Sequence, residues 1–264
     1  MSAGFDSLRH QRGVIVTASD AGLCYGVNEG IRRAMAIGAV SGTSLLVVAP
    51  FAREAVIRIG SRMGVQLALS AEHELLEFRP VTYSPSLLGG RGGFPVDVAD
   101  AAEHADPTEV HREFRAQIER ARALGVTPTF LATHDDVVAR QLSLFDVFLD
   151  LAEEYALPIR HGYDFGPISL DAAHLARERG HFVAASTVNW MPAERSFDDV
   201  LEDLPAGVSE VIVSPAAPGD EVSAMLGDAQ RRVATLEALE AANPREVAER
   251  HQFAWLGWED LAVH

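Results

Sequence analysis

Short apolar runs and longer amphipathic stretches follow one another along this chain. Residues 13–18 (GVIVTA) form an apolar, β-branched run of the kind a buried strand shows, and a helical stretch over 27–37 follows it. Residues 43–48 (TSLLVV) predict a second strand, 50–59 its helix and 65–69 a third strand. Further strands are expected over 127–133, 157–160, 182–185 and 208–213, with helices over 142–155, 170–179 and 222–241 between or after them. One helix carries its own punctuation. Asp106 caps it, Pro107 takes the first helical position, and a 3.6-residue apolar repeat continues to about Leu124. Strands alternating with helices predict an α/β fold with a parallel sheet or barrel. No repeat, low-complexity segment or linker interrupts the pattern, so residues 1–264 are expected to form a single (β/α) barrel-like domain.

Residues 70–105 break the rhythm. They are polar and rich in Gly and Pro, and a long insertion in a compact domain is expected to be functional. LGGRGGF (88–94) does not open a helix after a strand, so dinucleotide binding is not expected there. It reads as the tip of a lid that covers the site and orders on ligand binding.

Composition then narrows the classes of function. A net charge of −16, with arginines scattered among acids, argues against a nucleic-acid partner. All 22 basic residues are arginine, which excludes Schiff-base, pyridoxal-phosphate and P-loop lysine chemistry. No apolar run reaches the ~18 residues that cross a bilayer, and the first dozen residues are polar. The single cysteine, Cys24, has no partner for an internal disulfide and reads as a small turn residue. A cytoplasmic protein with no membrane partner is expected.

In such a fold the chemistry gathers at the carboxyl ends of the strands. That rule nominates Ser19 and Asp20 after the first strand, and Ser70, Glu72, His73 and Glu74 after the third. His134, Asp135 and Asp136 follow the fourth; Arg160, His161, Tyr163 and Asp164 the next; Ser214 the strand ending at 213. Acids and histidines from separate strand ends are what acid–base or metal chemistry requires. Ser44 has no adjacent histidine in sequence, which argues against a nucleophilic serine. Trp190, Trp255 and Trp258 are expected to pack or line an interface rather than form a sugar platform.

Residues 17–31, TASDAGLCYGVNEGI, resemble the opening motif of the YdjC/ChbG/HpnK-type carbohydrate deacetylases. GAVSGTSLLV (38–47), GVQLALSAEHE (64–74) with FRPV (78–81), REFRAQIERARALGVTPTFLATH (112–134) and VIVSPA (211–216) resemble its later motifs in unbroken order. The resemblance implies a TIM-barrel-related deacetylase fold and hydrolysis at a divalent metal. In that family the first aspartate of a pair is the general base, while the second and two histidines hold the metal. Here Ser19 stands at the base position, Asp20 at the metal aspartate, Gln66 at the first metal histidine and His134 at the second. Ala132 replaces an aspartate two residues before that histidine, and Ser214 replaces a histidine before proline that is a candidate acid.

One base, one ligand and one acid are thus missing together. Asp20 and His134 are therefore expected to carry catalysis, with Asp20 raising the His134 pKa and fixing its tautomer. Ser19, Gln66, Glu72, His73, Asp135, Asp136, Arg160 and Ser214 are expected to bind substrate. No cofactor is expected, although a weak divalent metal at Asp20 and His134 stays open. The reading favoured is a repurposed enzyme acting on a small polar, carbohydrate-derived or natural-product substrate. Its chemistry would be metal-independent acid–base dehydration, isomerisation or cyclisation. The alternatives are a metal-dependent carbohydrate N-deacetylase with an altered site and a noncatalytic small-molecule-binding protein. The late helix over 222–241 is a candidate homodimer surface.

Overall fold

The computed structural model describes residues 12–71, 75–161 and 168–261. β1 (Gly13–Ala21) is wholly buried, as its apolar run demands, and α1 (Tyr25–Ala36) returns along the outside. β2 (Gly42–Leu45), α2 (Ala52–Ile59) and β3 (Arg62–Leu67) repeat the unit. After α3 (Val98–His104) come α4 (Pro107–Ala123), β4 (Thr127–Thr133), α5 (Leu142–Glu154) and α6 (Ser169–Glu178). β5 (Thr187–Asn189), α7 (Phe197–Asp203), β6 (Val208–Val213), α8 (Asp220–Met225), α9 (Ala229–Ala242), α10 (Pro244–Arg250) and β7 (Ala254–Trp255) complete the order.

Every strand pairing is parallel, in the order β4-β3-β2-β1-β6-β5, and β7 lies beside the start of β1. Main-chain bonds carry the sheet round from β4 to β6. Arg160 N donates to Leu131 O, Ala184 N to His161 O and Ala185 N to Val208 O. The inside of this barrel is packed by Ile15, Phe130, Ala132, Val208, Trp258 and Leu261, with Phe130 stacked on Trp258 at 4.7 Å between centroids. The larger core lies between strands and helices.

Local chemistry explains the boundaries. The Asp106 carboxylate accepts from Thr108 N and Glu109 N and starts α4 at Pro107, as expected. β4 and β6 form over the expected residues because apolar and β-branched residues dominate each, although β6 also buries Ser209 and Glu210. The expected strand over 157–160 reduces to a single bridge, Leu131 with Ile159. That over 182–185 contributes single bonds, and the paired strand forms further on at β5. The late helix is two helices: Leu226 turns extended (φ −117°, ψ 121°) ahead of Gly227, ending α8 before α9 begins. α9 buries Ala229, Arg232, Thr235, Leu236 and Leu239, so the apolar spacing that suggested a dimer surface serves the chain's own packing. Among the described residues no helix is long and apolar enough to cross a membrane.

Close packing also fixes the loop after β6. A Cβ on Gly30 would sit 2.6 Å from Ala216 Cα, so α1 approaches that loop as only glycine allows. Asn28 holds the turn after β1, accepting from Gly22 N at 2.7 Å and donating to Phe51 O at 3.2 Å.

Candidate functional site

The carboxyl ends of the strands surround a cavity of about 550 Å³. Ser19, Asp20, Gln66, His134, Asp135, Asp136, Arg160 and Ser214 all line it. Glu72 and His73 lie outside the described residues, as do Glu74, Tyr163 and Asp164.

Consecutive strand residues normally face opposite sides, yet Ser19 and Asp20 both line the cavity. The register between β1 and β2 shifts between Ala18 and Ala21, and Asp20 has φ 72°. This bulge re-aims both side chains toward the mouth. Asp135 and Asp136 follow β4 with φ 52° and 51°, a second local departure that turns both carboxylates over the rim. Left-handed backbone costs on the order of 1–3 kcal/mol per residue and recurs where function requires a direction.

Gln66 ties the centre together. Its Oε1 accepts from Asp20 N at 3.2 Å and from Ser44 Oγ at 2.8 Å. A backbone N–H can only donate, so the oxygen of the amide is fixed on that side. Its Nε2 therefore donates to Asp20 Oδ1 and to His134 Nδ1, both at 3.0 Å. His134 Nδ1 is thus an acceptor, and the ring carries its proton on Nε2, which faces Asp135 Oδ2 at 3.5 Å. Asp20 Oδ1 stands 4.0 Å from His134 Nδ1, too far for a hydrogen bond. The tautomer is set by Gln66, correcting the assignment of that role to Asp20. Phe78 meets the His134 ring edge-on at 5.8 Å.

Two buried guanidinium groups complete the site. Arg160 donates to Ser19 Oγ at 2.9 Å and to Thr133 O at 3.3 Å. Arg232, 4% exposed, donates through Nη2 to Asp20 Oδ2 at 2.9 Å and through Nε to both oxygens of Asp228 at 2.9 Å. Burial pushes the Asp136 carboxyl up to about 6 against the pull of Arg160. Below the cavity Glu210 is buried with neither carboxyl oxygen in a hydrogen bond, and burial pushes it up to about 7.

Sequence reasoning missed Arg231, Arg232 and Asp228, which line the cavity from the break before α9. The signal was an arginine on a helix's apolar stripe, where Ala229, Leu236 and Leu239 are its buried neighbours. Trp190 does pack, edge-on to Phe197 at 5.3 Å, and it also lines the cavity. The expected lid is a buttress. No described residue of 70–105 lines the cavity, and Leu76, Phe78, Leu87 and Phe94 are buried in the core. Its glycine-rich tip closes on itself, with Gly89 N donating to Gly93 O at 2.7 Å.

Gln66→Glu tests the centre. A glutamate cannot donate, so it sets two carboxylates against each other at Asp20 and demands a proton on His134 Nδ1. Nitrogen-edited NMR should show an Nε2-protonated ring in the wild type and an Nδ1-protonated or charged ring in the variant. An Nδ1-protonated ring in the wild type would refute the amide's role.

Residues 13–252 match the protein family described as YdjC-like protein. A carbohydrate deacetylase of Brevibacillus brevis is 30% identical over 258 residues, 94% of this chain and 99% of that protein. The carbohydrate deacetylase of Thermoanaerobacter pseudethanolicus is 30% identical over 79% of this chain and 83% of its own length. That of Geobacillus stearothermophilus is 36% identical over 146 residues, so the match spans 58% of that relative. A crystal structure from Enterococcus faecalis V583, of a protein provisionally assigned to cellobiose-phosphate cleavage, superposes with a TM-score of 0.84 at 24% identity. It covers 96% of this chain and all of that one, and shows the barrel fold.

These matches correct two expectations. Relatives spanning 79% and 94% of the chain are named for deacetylation, a hydrolysis, and not for dehydration, isomerisation or cyclisation. The family chemistry implied by the resemblance also employs a divalent metal, so the expectation of no cofactor does not stand. The donors as arranged nonetheless fit such an ion poorly. Among the described residues no cluster of three or more His, Cys, Asp or Glu is placed to hold one. Asp20 meets the Gln66 amide with one oxygen and a guanidinium with the other.

Proposed function

The chain belongs to the YdjC-like family of enzymes, and from that membership we propose that it is a carbohydrate deacetylase, hydrolysing the acetyl group from an acetylated sugar bound in this cavity. The full-length similarity to the Brevibacillus brevis carbohydrate deacetylase carries this reading. A volume of about 550 Å³ is within the range of small-molecule sites. Its lining suits a sugar: Asn189, Asp135, Asp136, Ser214 and Asp228 offer hydrogen-bonding groups for hydroxyls, and Trp190 and Met191 offer an apolar face.

His134 is the hydrogen-bond donor to the reacting group in this proposal. Its Nδ1 is held by Gln66, leaving the Nε2–H of a neutral ring toward Asp135 and the cavity, where it can stabilise negative charge building on the acyl oxygen or the departing sugar group without giving up its proton. Asp20 and Arg232 hold Gln66, and through it the ring, in place. A single domain in a reducing, cytoplasmic setting, acting on a small-molecule carbohydrate without nucleic acid, belongs to the same proposal.

Purified protein incubated with N- and O-acetylated mono- and oligosaccharides should release acetate. His134→Ala should lower kcat/KM by about 10²–10³-fold, the usual loss on removing one donor aimed at charge that develops in the transition state. Wild-type rates in His134→Ala would remove His134 from the chemistry.

A further inference from the structure

Arg232 is bonded on two sides and unsatisfied on the third. Its Nε–H meets the Asp228 carboxylate and its Nη2 meets Asp20 Oδ2, both at 2.9 Å. Its Nη1, buried in the cavity lining, has no hydrogen-bond partner. A buried donor left without an acceptor is costly, and more so on a charged group. The other cavity cations are engaged: Arg160 with Ser19 and Thr133, Arg231 with Asp228. Arg231 is also half exposed, whereas Arg232 is held on a helix by two carboxylates, which fixes the direction of its remaining N–H groups.

We propose that Arg232 Nη1 is the acyl-oxygen subsite of the cavity, receiving the acetyl carbonyl of the substrate and then the carboxylate of released acetate. This rests on the deacetylase reading for the substrate, but its ligand chemistry, a small carboxylate, is testable alone. A guanidinium suits both states: an N–H directed at a carbonyl oxygen strengthens as charge builds on it, and the carboxylate product accepts the same donor. Asp20 and Asp228 neutralise and orient the cation through Nη2 and Nε and leave Nη1 unbonded, so a small displacement of the lining that admits an oxygen there satisfies it. The cavity's carboxylates oppose a second anion, so acetate should bind weakly and leave readily.

The probe is sodium acetate, with sodium chloride at equal ionic strength as the reference. Saturation-transfer NMR on the acetate methyl should give a saturable Kd on the order of 1 mM. The Arg232 guanidinium resonances should shift along the same titration. Arg232→Lys keeps a cation between Asp20 and Asp228 but has no atom at Nη1, and should raise the Kd by about tenfold or more. Acetate binding equally well to Arg232→Lys, or leaving the Arg232 resonances unmoved, overturns the subsite. Should Arg232→Lys fail to fold, the resonance shift in the wild type decides by itself. Acetate release from acetylated sugars with no acetate binding at Arg232 sinks the subsite and spares the deacetylase reading; binding without release does the reverse.

Discussion

Asp20→Ala is expected to lower the free energy of unfolding by about 3–5 kcal/mol, the usual consequence of removing one partner from a buried ion pair. Asp20 and Arg232 are both nearly inaccessible and 2.9 Å apart. With Asp20 gone, the guanidinium retains only Asp228 in a site it cannot leave. Backbone adds to the loss, because alanine at φ 72° costs roughly 1–2 kcal/mol where aspartate is tolerated. Asp20→Asn keeps the local conformation and isolates the charge effect, so it should be the milder variant. Asp20→Asn combined with Arg232→Met should recover part of the loss, because no lone charge then remains buried. Urea midpoints at neutral pH measure all four proteins. An Asp20→Ala variant within about 1 kcal/mol of the wild type would show that the pair does not hold the site together.

The second large effect is a pH dependence from Glu210. It lies on β6 two residues before Ile212, on the same strand face, and so beneath the cavity. Thr17 lies beside it and pulls the carboxyl down, while its hydroxyl oxygen accepts from Trp258 Nε1 at 3.0 Å. Arg160 pulls the carboxyl down and Asp136 pushes it up, and burial outweighs both. Its folded pKa, about 7, lies above the unfolded value, so the folded state holds the proton more tightly. The contribution is full below about pH 4, is lost as pH rises through about 7, and is then constant. Across that window the displacement is worth roughly 3 kcal/mol. Glu210→Gln has no proton to lose. The difference in stability between wild type and variant should therefore change by roughly this amount between about pH 5 and about pH 8. A constant difference across the window would place the Glu210 carboxyl in a solvated or paired environment.

The barrel was legible because buried parallel strands announce themselves as apolar runs: VIVT in β1, TFLAT in β4 and VSEVIV in β6. The positions of the site were legible by the same route, since a parallel barrel puts its chemistry at strand ends. The connections within the site were not. A bulge leaves no apolar signature, so nothing in SDAG said that Ser19 and Asp20 would turn the same way. Gln66 reads in sequence as a poor metal ligand. Only its four neighbours, Asp20 N, Ser44 Oγ, Asp20 Oδ1 and His134 Nδ1, show it as the bridge that orients the ring. Arg232 was hidden by a helix that looked continuous from 222 to 241 until Gly227 broke it. In the 70–105 segment glycine and proline suggest a mobile loop, but Leu76, Phe78, Leu87 and Phe94 are buried and make it part of the core.

Hydrolytic deacetylation is proposed for the cavity that joins Arg232, Asp20, Gln66 and His134. The most direct test follows acetate released from acetylated sugars in water enriched with heavy oxygen, for the wild type and His134→Ala side by side. Wild-type protein is expected to release acetate carrying one heavy oxygen from solvent, with a loss of about 10²-fold or more in the variant. No acetate from any acetylated sugar, or release undiminished in the variant, would contradict it.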